Sequence, residues 1–346
     1  MSNLENPLPP RTKGKQTKKP RKKGTSIRKG IVGLLLFLLL AGGVLVGYYY
    51  LKFEEVVSDI SVGPDIEVPK EELASQKPLT IMLLGMDRRE GLGLMNTDVI
   101  MVFALNPERK TATIASVPRD TYMDPTGWRP RKANGFYSAA YHDNKDTVLT
   151  EVKNIFGEML SIPIDYVSVI DFKTFEEIID ALGGLEIDVD KDMCYKDEAD
   201  GTFINLEAGP QHLNGEDALD FVRYRTSNCG TDPSSDFERN ERQQQVISKI
   251  VEKVKSPTIV LRGGGVLDAI ADHVQTDIPE SQIKSLIKTY AGISNDKINY
   301  IPLEGVWQSP YIYLDEEGFE AAVNRLQAEL DLLPASSEPQ ESDGAS

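Results

Sequence analysis

Apolar residues recur with two different periods along the chain, and the succession of periods predicts a mixed α/β domain. Apolar runs of strand length occur at Leu79–Met86, Asp98–Asn106 and Thr111–Val117, and Pro107–Lys110 predicts a hairpin between the last two. Helical and strand-like spacings follow in alternation. The predicted helices are Thr147–Leu160, Phe172–Leu182, Gly265–Val274, Pro279–Ala291 and Glu316–Leu332, and the later strands are Tyr166–Asp171 and Leu185–Val189. This order predicts a mixed or mostly antiparallel sheet between helices.

One apolar run is long enough to cross a membrane. Ile31–Leu51 contains 21 residues without a charge, which as a helix span roughly 30 Å of hydrocarbon. Tyr48–Tyr50 resemble an interfacial aromatic anchor, and we find no convincing signal-peptide cleavage site. Because ten basic residues and one acidic residue precede the run, we predict a single-pass protein in the cell membrane with a cytoplasmic N-terminus and an extracellular domain.

The segments around the predicted span divide the chain further. Residues 1–30 read as a basic cytoplasmic tail, 31–51 as the transmembrane helix and 52–78 as a juxtamembrane stalk with three prolines. Residues 79–333 read as the globular domain, and the Ser/Glu/Pro-rich residues 334–346 read as a disordered tail.

Composition excludes several classes of function. The 346 residues carry a net charge of −16, and the residues after position 30 include 28 basic and 53 acidic side chains, so nucleic acid is not an expected partner. The three histidines and two cysteines form neither an H-x-x-H nor a C-x-x-C pattern, which disfavours a zinc site. The chain also lacks the G-x-S-x-G and P-loop motifs.

Four arginines lie in the segment VRYRTSNCGTDPSSDFERNERQQQ, which begins at residue 222. Arg223 and Arg225 point to one face if Leu219–Arg225 is an extended strand. Arg239 and Arg242 share the inward face of the following helix, whose apolar positions are Val246, Ile247, Ile250, Val251 and Val254. Inward-facing guanidinium groups favour an anion site, and an ion-paired structural helix is the alternative.

The start of this helix strengthens the prediction of an anion site. Ser235 followed three residues later by Glu238 is a capping-box pair, which places the helix N-terminus next to the arginines. The N–H groups of the first turn and the helix dipole add positive potential, which suits a phosphate or pyrophosphate.

Further charged residues stand where predicted strands end. Asp87 follows the first strand, Asp98 opens the second, and Arg119 follows the third, with Lys132 and Asn134 beyond it. Surface turns explain any one of these residues alone. Together with inward arginines, the carboxylates predict Mg²⁺ that bridges protein carboxylates and substrate phosphate.

The two cysteines, Cys194 and Cys229, both fall in the predicted external part, where a disulfide persists. We hypothesise a Cys194–Cys229 bond that steadies the loop between the two arginine pairs. Two unpaired thiols are the alternative.

At these residues the chain resembles the LytR-CpsA-Psr family of cell-wall glycopolymer ligases, and the shared motifs occur in the family's order from Leu79 to Lys255. They are GMD at Gly85–Asp87, TDVIMV at Thr97–Val102, SVPRDTY at Ser116–Tyr122, KAN at Lys132–Asn134, IPIDYVSVIDF at Ile162–Phe172, DALGGLEIDV at Asp180–Val189, LNGEDALDFVRYR at Leu213–Arg225 and DFERNERQQ at Asp236–Gln244.

The resemblance implies an α/β/α sandwich with a central mixed, mainly antiparallel sheet, an apolar tunnel for a polyprenyl chain and an arginine-lined mouth for its pyrophosphate. It also implies transfer of a glycopolymer from polyprenyl pyrophosphate to peptidoglycan with magnesium. Asp87 and Asp98 are expected to hold the metal, and Asp98, Arg119 and Asp236 to be catalytic. By motif position, the expected pyrophosphate ligands are Arg119, Lys132, Arg223, Arg225, Arg239, Arg242 and Gln243.

Asn96 departs from the family pattern, which often has an arginine there, and Arg88 or Arg89 is the candidate replacement. Two other functions stay open at this stage. One is a hydrolase that cleaves polyprenyl pyrophosphate with water, and the other is a regulatory module that binds anionic lipid or polymer without turnover.

Overall fold

The computed structural model describes residues 48–49, 51–61, 67–88, 95–198, 201–256 and 258–333. The predicted basic tail, nearly all of the predicted span and the predicted C-terminal tail lie outside these residues. Within the described ranges, no helix has both the length and the apolar character that crossing a membrane requires. The chain divides into two units, Met1–Tyr50 and Leu51–Ser346, and only Tyr48 and Tyr49 of the first are described.

A six-stranded sheet forms the centre of the second unit. Its spatial order is β11-β6-β1-β2-β3-β12. The strands are β1 Leu79–Arg88, β2 Met95–Asn106, β3 Thr111–Ser116, β6 Tyr166–Asp171, β11 Gln275–Thr276 and β12 Ile298–Pro302. β1–β2, β2–β3 and β6–β11 pair antiparallel, whereas β1–β6 and β3–β12 pair parallel. The predicted mixed α/β fold and mixed sheet are therefore confirmed.

The remaining elements surround this sheet or form short hairpins. The other strands are β4 Tyr122–Met123, β5 Arg131–Lys132, β7 Leu185–Val189, β8 Met193–Lys196, β9 Phe203–Leu206, β10 Gly209–Leu213, β13 Gly305–Gln308 and β14 Tyr311–Leu314. After α1 (residues 51–60), the helices are α2 Phe136–Asp143, α3 Val148–Leu160, α4 Phe172–Leu182, α5 Gly215–Arg223, α6 Asp236–Lys255, α7 Ile259–His273, α8 Glu280–Tyr290 and α9 Glu316–Glu329.

Two predicted elements differ from the structure. The segment predicted as an extended Leu219–Arg225 is helical up to Arg223, because Asn214 caps α5 by accepting a hydrogen bond from the Asp217 amide at 2.8 Å. Helix α7 begins six residues before the predicted Gly265 and runs through three glycines. A Cβ at Gly265 would lie 3.6 Å from that of Ala181, so the small residues let α7 pack closely on α4.

The compact unit begins at Leu51 rather than at the predicted Leu79. Helix α1 buries Val56, Val57 and Ile60, and its Glu54 accepts from Lys284 of α8 at 2.5 Å. The early part of the segment interpreted as a stalk is therefore docked on the domain, since an apolar face at helical spacing has found a core to cover.

The two faces of the central sheet have different surroundings. Met82, Leu84 and Met86 of β1 are buried in a core that α2, α3 and α9 complete. The alternate residues Leu83, Gly85 and Asp87 point to the opposite face, which α4, α5 and α6 cover. The candidate site lies on that second face.

Candidate functional site

A cavity of about 810 Å³ separates the sheet from its covering helices. Strands β1, β2 and β6 form its floor, and α4, α5, α6 and the β8–β9 hairpin form its roof and walls. Most of the lining is aliphatic or aromatic, and representative residues are Leu83, Met101, Phe175, Ile204, Val222 and Ile250. A mainly apolar cavity of this size suits an extended hydrocarbon ligand.

Gly85 shapes the floor of this cavity. Its Cβ, if present, would lie 2.9 Å from the Cβ of Val99, closer than packed carbons approach. The register between β1 and β2 also shifts at Gly85 and Met86. This bulge re-aims the strand end that carries Asp87 toward the cavity mouth.

Charged and polar side chains line the same cavity and form its mouth. Seven of the predicted site residues meet there, and Asn96 is a further polar neighbour. The seven are Asp87, Asp98, Arg119, Arg223, Arg225, Arg239 and Gln243. Residues from β1, β2, the segment after β3, the end of α5 and the start of α6 thus converge on one place.

Ion pairs with strand aspartates position two of the arginines at the mouth. Arg119 donates to Asp98 Oδ1 at 2.7 Å. Arg223 lies 4.0 Å from Asp87 Oδ2, and its guanidinium stacks 4.6 Å from the ring centre of Phe172. Each pair combines a carboxylate at a strand end with an arginine that keeps further donors for a ligand.

Asp120 holds the cationic side of the mouth together. Only 5% of its side chain is exposed, and its carboxylate contacts Lys132 Nζ at 2.8 Å, Arg225 at 3.2 Å and Arg119 Nε at 3.8 Å. Burial alone would raise the pKa of Asp120, but the hydrogen bond from Lys132 and the charges of Arg119, Lys132 and Arg225 outweigh burial and lower it. Asp120 therefore stays ionised and positions three cations.

Asp120 was not among the predicted site residues, although its position directly after Arg119 was a usable signal. Lys132, which was predicted to bind pyrophosphate, is not among the residues that line the cavity. It contacts Asp120 and lies 5.5 Å from the ring centre of Trp307. Its position is beside the mouth, on the outer side of Asp120.

Helix α6 starts as predicted, with Ser235 and Glu238 forming a reciprocal capping box. The hydrogen bond from Lys191 and those of the cap lower the pKa of Glu238 to about 2. Arg239 and Gln243 are buried on the inward face and line the cavity.

Arg242, the second arginine of this helix that was predicted to bind the anion, has other partners, and its role as a pyrophosphate ligand stays a prediction. Its side chain is 2% exposed and donates to both oxygens of Asp190 at 2.8 and 3.0 Å. It also donates to the Tyr224 carbonyl at 3.1 Å and the Ser234 hydroxyl at 2.6 Å. Arg242 therefore ties the loop before α6 to the helix and does not line the cavity.

The side chains of three predicted site residues are not described. Asp236 begins α6, but its side chain is not described, and the same holds for Arg88 at the end of β1. Arg89 lies wholly outside the described residues. The expected catalytic role of Asp236 stays a prediction, and so does the replacement of the arginine missing at position 96 by Arg88 or Arg89.

The structure contains the hypothesised disulfide. Cys194 of β8 is bonded to Cys229 of the loop before α6, with 5.7 Å between the Cα atoms. Asn228 adds hydrogen bonds to both the amide and the carbonyl of Lys196, at 2.9 and 2.6 Å. Because Tyr195 and Ile204 of the β8–β9 hairpin line the cavity, these links fasten one wall of the cavity to the arginine-bearing loop.

Asp87 and Asp98 are the carboxylates to consider for a metal. They lie on neighbouring antiparallel strands and line the same end of the cavity. No cluster of three or more histidine, cysteine or carboxylate groups suited to a metal occurs among the described residues. Two carboxylates fit Mg²⁺ only when phosphate oxygens complete its coordination, which is how proteins commonly bind this ion.

Comparisons with known proteins identify a family that this chain matches. The LytR_cpsA_psr family model matches residues 47–328. TagU of Bacillus mycoides, named a polyisoprenyl-teichoic acid–peptidoglycan teichoic acid transferase, is 30% identical over 315 residues, covering 87% of this chain and 97% of TagU. The crystal structure of B. subtilis TagV aligns with a TM-score of 0.60 at 28% identity, covering 75% of this chain and 99% of that one.

A further structure shares the fold. YwtF (TagT), solved with bound octaprenyl pyrophosphate lipid, aligns with a TM-score of 0.53 at 22% identity, over 79% of this chain and 97% of that one.

Proposed function

The chain belongs to the LytR_cpsA_psr family, and from this premise we propose that it is a membrane-anchored transferase that moves an anionic glycopolymer from polyprenyl pyrophosphate to peptidoglycan. One observation carries the proposal: an apolar cavity of about 810 Å³ ends at a mouth lined by four arginines and two aspartates. A long hydrocarbon with a pyrophosphate head is the ligand class that matches both ends. The names of the transferase relatives supply the glycopolymer and the acceptor.

The arginines are proposed to bind the pyrophosphate. Arg119, Arg223, Arg225 and Arg239 come from three separate segments and converge on one end of the cavity. Their guanidinium groups neutralise the ligand's negative charge, and the N-terminus of α6 adds its unpaired amides and dipole. Asp120 prevents Arg119 and Arg225 from folding away, because it holds both in fixed ion pairs.

Transfer then needs little covalent chemistry from the protein. A hydroxyl oxygen of peptidoglycan attacks the phosphorus that carries the glycopolymer, the bond from this phosphorus to the bridging oxygen breaks, and polyprenyl phosphate leaves. A phosphodiester joins the two polymers. The arginines stabilise the charge that develops on the leaving phosphate, which is the main catalytic requirement of phosphoryl transfer.

The proton of the attacking hydroxyl passes to a carboxylate. Asp98 is the described candidate, since it lines the mouth and is fixed by Arg119 at 2.7 Å. Asp236 is the other candidate. Asp87 and Asp98 are proposed to hold Mg²⁺ together with pyrophosphate oxygens, and the ion, when bound, supplies further charge neutralisation.

We also propose that the protein is anchored in the cell membrane. The uncharged run Ile31–Leu51 would anchor the protein in the cell membrane, with the tail of residues 1–30 in the cytoplasm and the domain outside. An external domain at the membrane meets both its lipid-linked donor and the cell wall.

The decisive experiment uses the detergent-solubilised full chain, a polyprenyl-pyrophosphate-linked glycopolymer, peptidoglycan oligomer and Mg²⁺. We expect a joined glycopolymer–peptidoglycan product whose rate of formation falls about 100-fold or more in Arg119→Ala. Arg129→Ala is the matched control, because Arg129 is exposed and its side chain lies outside the cavity lining. Release of polyprenyl phosphate without a joined product would favour the hydrolase, and bound donor without turnover would favour the binding module.

A further inference from the structure

Phe172 lies where the apolar part of the cavity meets its cationic mouth. Its half-buried ring lines the cavity and packs against the apolar cluster of the covering helices. The centre of the same ring lies 4.6 Å from the guanidinium carbon of Arg223, which also lines the cavity. A cation within about 6 Å of a ring centre is attracted to the face of the ring. One side chain therefore contacts both the hydrocarbon space and a cation of the mouth.

The turn from β6 into α4 places this ring beside the strand end that carries Asp87. Asp171 caps α4 by accepting hydrogen bonds from the amide and the hydroxyl of Thr174, at 2.8 and 2.6 Å. Phe172 is consequently the first residue of the helix. Because β6 pairs in parallel with β1, Asp171 lies opposite Met86, so Phe172 and Asp87 follow from neighbouring positions.

The ion pair between Arg223 and Asp87 is a loose one. Its atoms are 4.0 Å apart, which is longer than a hydrogen bond, whereas Arg119 contacts Asp98 at 2.7 Å. The contact with the Phe172 ring therefore adds to the orientation of Arg223 what this long ion pair does not supply.

Two other carboxylates attract Arg223 away from the mouth. Burial raises the pKa of Asp220 on α5 to about 7 and also raises the pKa of Glu176 on α4, and the positive charge of Arg223 opposes both rises. Neither carboxylate is among the residues that line the cavity. Without the aromatic ring, the guanidinium would turn toward these carboxylates, and its donors would leave the mouth.

We propose that Phe172 is a positioning residue that holds Arg223 at this boundary, so that Arg223 binds the phosphate attached directly to the polyprenyl chain; this inference rests on the proposed transferase function and its lipid donor. The ring contacts the hydrocarbon next to that phosphate. A guanidinium group that lies over a ring keeps its N–H donors for a ligand. Because the lipid leaves as polyprenyl phosphate, Arg223 keeps its ligand until the product dissociates.

The test compares the binding of three lipids to the detergent-solubilised full chain, with no acceptor present. They are octaprenyl alcohol, octaprenyl phosphate and octaprenyl pyrophosphate, which share one hydrocarbon and differ in the headgroup. The affinity of each phosphorylated lipid divided by that of the alcohol is the headgroup ratio, from which the hydrocarbon contribution cancels. We expect Phe172→Leu to lower this ratio about tenfold for the phosphate and the pyrophosphate alike, since a desolvated cation–π contact is worth about this much.

Phe175→Leu is the matched control, because Phe175 lies three residues further along α4, is also half-buried and also lines the cavity. It should leave the headgroup ratio unchanged. Phe172→Tyr keeps an aromatic face and should retain the wild-type ratio. In Arg223→Met the ratio should already be low, and adding Phe172→Leu should lower it no further, since the ring acts through the arginine. Binding of the alcohol shows that the cavity of each variant is intact, and Phe172→Met replaces Phe172→Leu if the leucine variant does not bind it.

The inference is overturned if Phe172→Leu keeps the wild-type headgroup ratio, if Phe175→Leu lowers the ratio equally, or if Phe172→Leu lowers it again in Arg223→Met. A loss confined to the pyrophosphate also overturns it, because Arg223 would then bind the other phosphate. In these cases the proposed transferase function still stands. A wild-type protein that binds none of the three lipids would refute both the proposed function and this inference.

Discussion

The two faces of the central sheet carry similar apolar residues and serve different purposes. On one face, Leu84 of β1 is fully buried against a core that includes Phe156 of α3. On the other face, Leu83 of the same strand and Phe175 of α4 are only partly buried, because they line the cavity. Of two adjacent leucines on one strand, one thus lies in a packed core and the other lines a cavity.

This difference shows that the cavity comes from how helices are placed and not from a special lining. Helices α2 and α3 share a packed core with the sheet, whereas residues of α4, α5 and α6 line a cavity between these helices and the sheet. The disulfide and the ion pair of Arg242 reinforce the covering side. The cavity layer combines an apolar cluster of its own, which includes Ile179, Phe221 and Val246, with these links at its rim.

Matched phenylalanine truncations should separate the two layers most clearly. Phe156→Ala should lower the free energy of unfolding by about 3–5 kcal/mol, because the ring is 1% exposed and its loss leaves an enclosed void. Phe175→Ala should cost less than about 1.5 kcal/mol, because its ring already borders an open space. Chemical denaturation of the purified variants measures both, and equal losses would contradict the distinction between the two faces.

Two arginines three residues apart on α6 sharpen the comparison. Arg242→Met should cost about 2–4 kcal/mol of stability, since it leaves the Tyr224 carbonyl and the Ser234 hydroxyl without their donor. Arg239→Met should change stability by less than about 1 kcal/mol, because removing one of four clustered positive charges offsets the lost contacts. In the transfer assay, however, Arg239→Met should lower the rate of product formation about 100-fold.

Denaturation and transfer rates are compared on the same preparations of these two variants. A large stability loss in Arg239→Met with normal transfer would reverse the assignment of structural and ligand-binding arginine. Arg242→Met is assayed only below its own unfolding transition, so that a transfer defect reports the folded protein.

Local signals in the sequence predicted local structure well. The start of α6 followed from Ser235 and Glu238, whose reciprocal hydrogen bonds need only four consecutive residues. The burial of Arg239 and Arg242 followed from helical periodicity. The extended reading of Leu219–Arg225 was wrong because two-residue spacing of arginines was given more weight than Asn214, a helix cap five residues earlier.

Roles that depend on distant partners were out of reach. Periodicity placed Arg239 and Arg242 on one face, but only the fold shows that Asp190, 52 residues earlier, pairs with Arg242. Asp120 became central through Arg225, which is 105 residues away in sequence. The cavity itself was unpredictable, since its lining residues look like core residues until the distance between helices and sheet is known.

The smallest predicted effect concerns a charge within the cavity layer. Burial raises the pKa of Asp220 on α5 to about 7, and neighbouring acidic residues add to the rise while Arg223 opposes it. The folded protein therefore binds this proton more tightly than the unfolded chain, whose aspartate titrates near pH 4. As a consequence, the contribution of Asp220 to the free energy of unfolding falls as pH rises from about 4 to about 7.

Asp220→Asn removes this loss, so the variant should be more stable than the wild type at pH 8, by an amount on the order of 1–2 kcal/mol after solvent screening. The two proteins should converge near pH 4, where the wild-type carboxyl is protonated in both states. Asp188→Asn, a change at an exposed carboxylate of β7, should keep the wild-type pH slope. Parallel pH profiles of stability for wild type and Asp220→Asn would contradict this prediction. They would show that the ionised Asp220 carboxylate is not destabilising in the folded protein, because a neighbouring cation or water compensates for its burial.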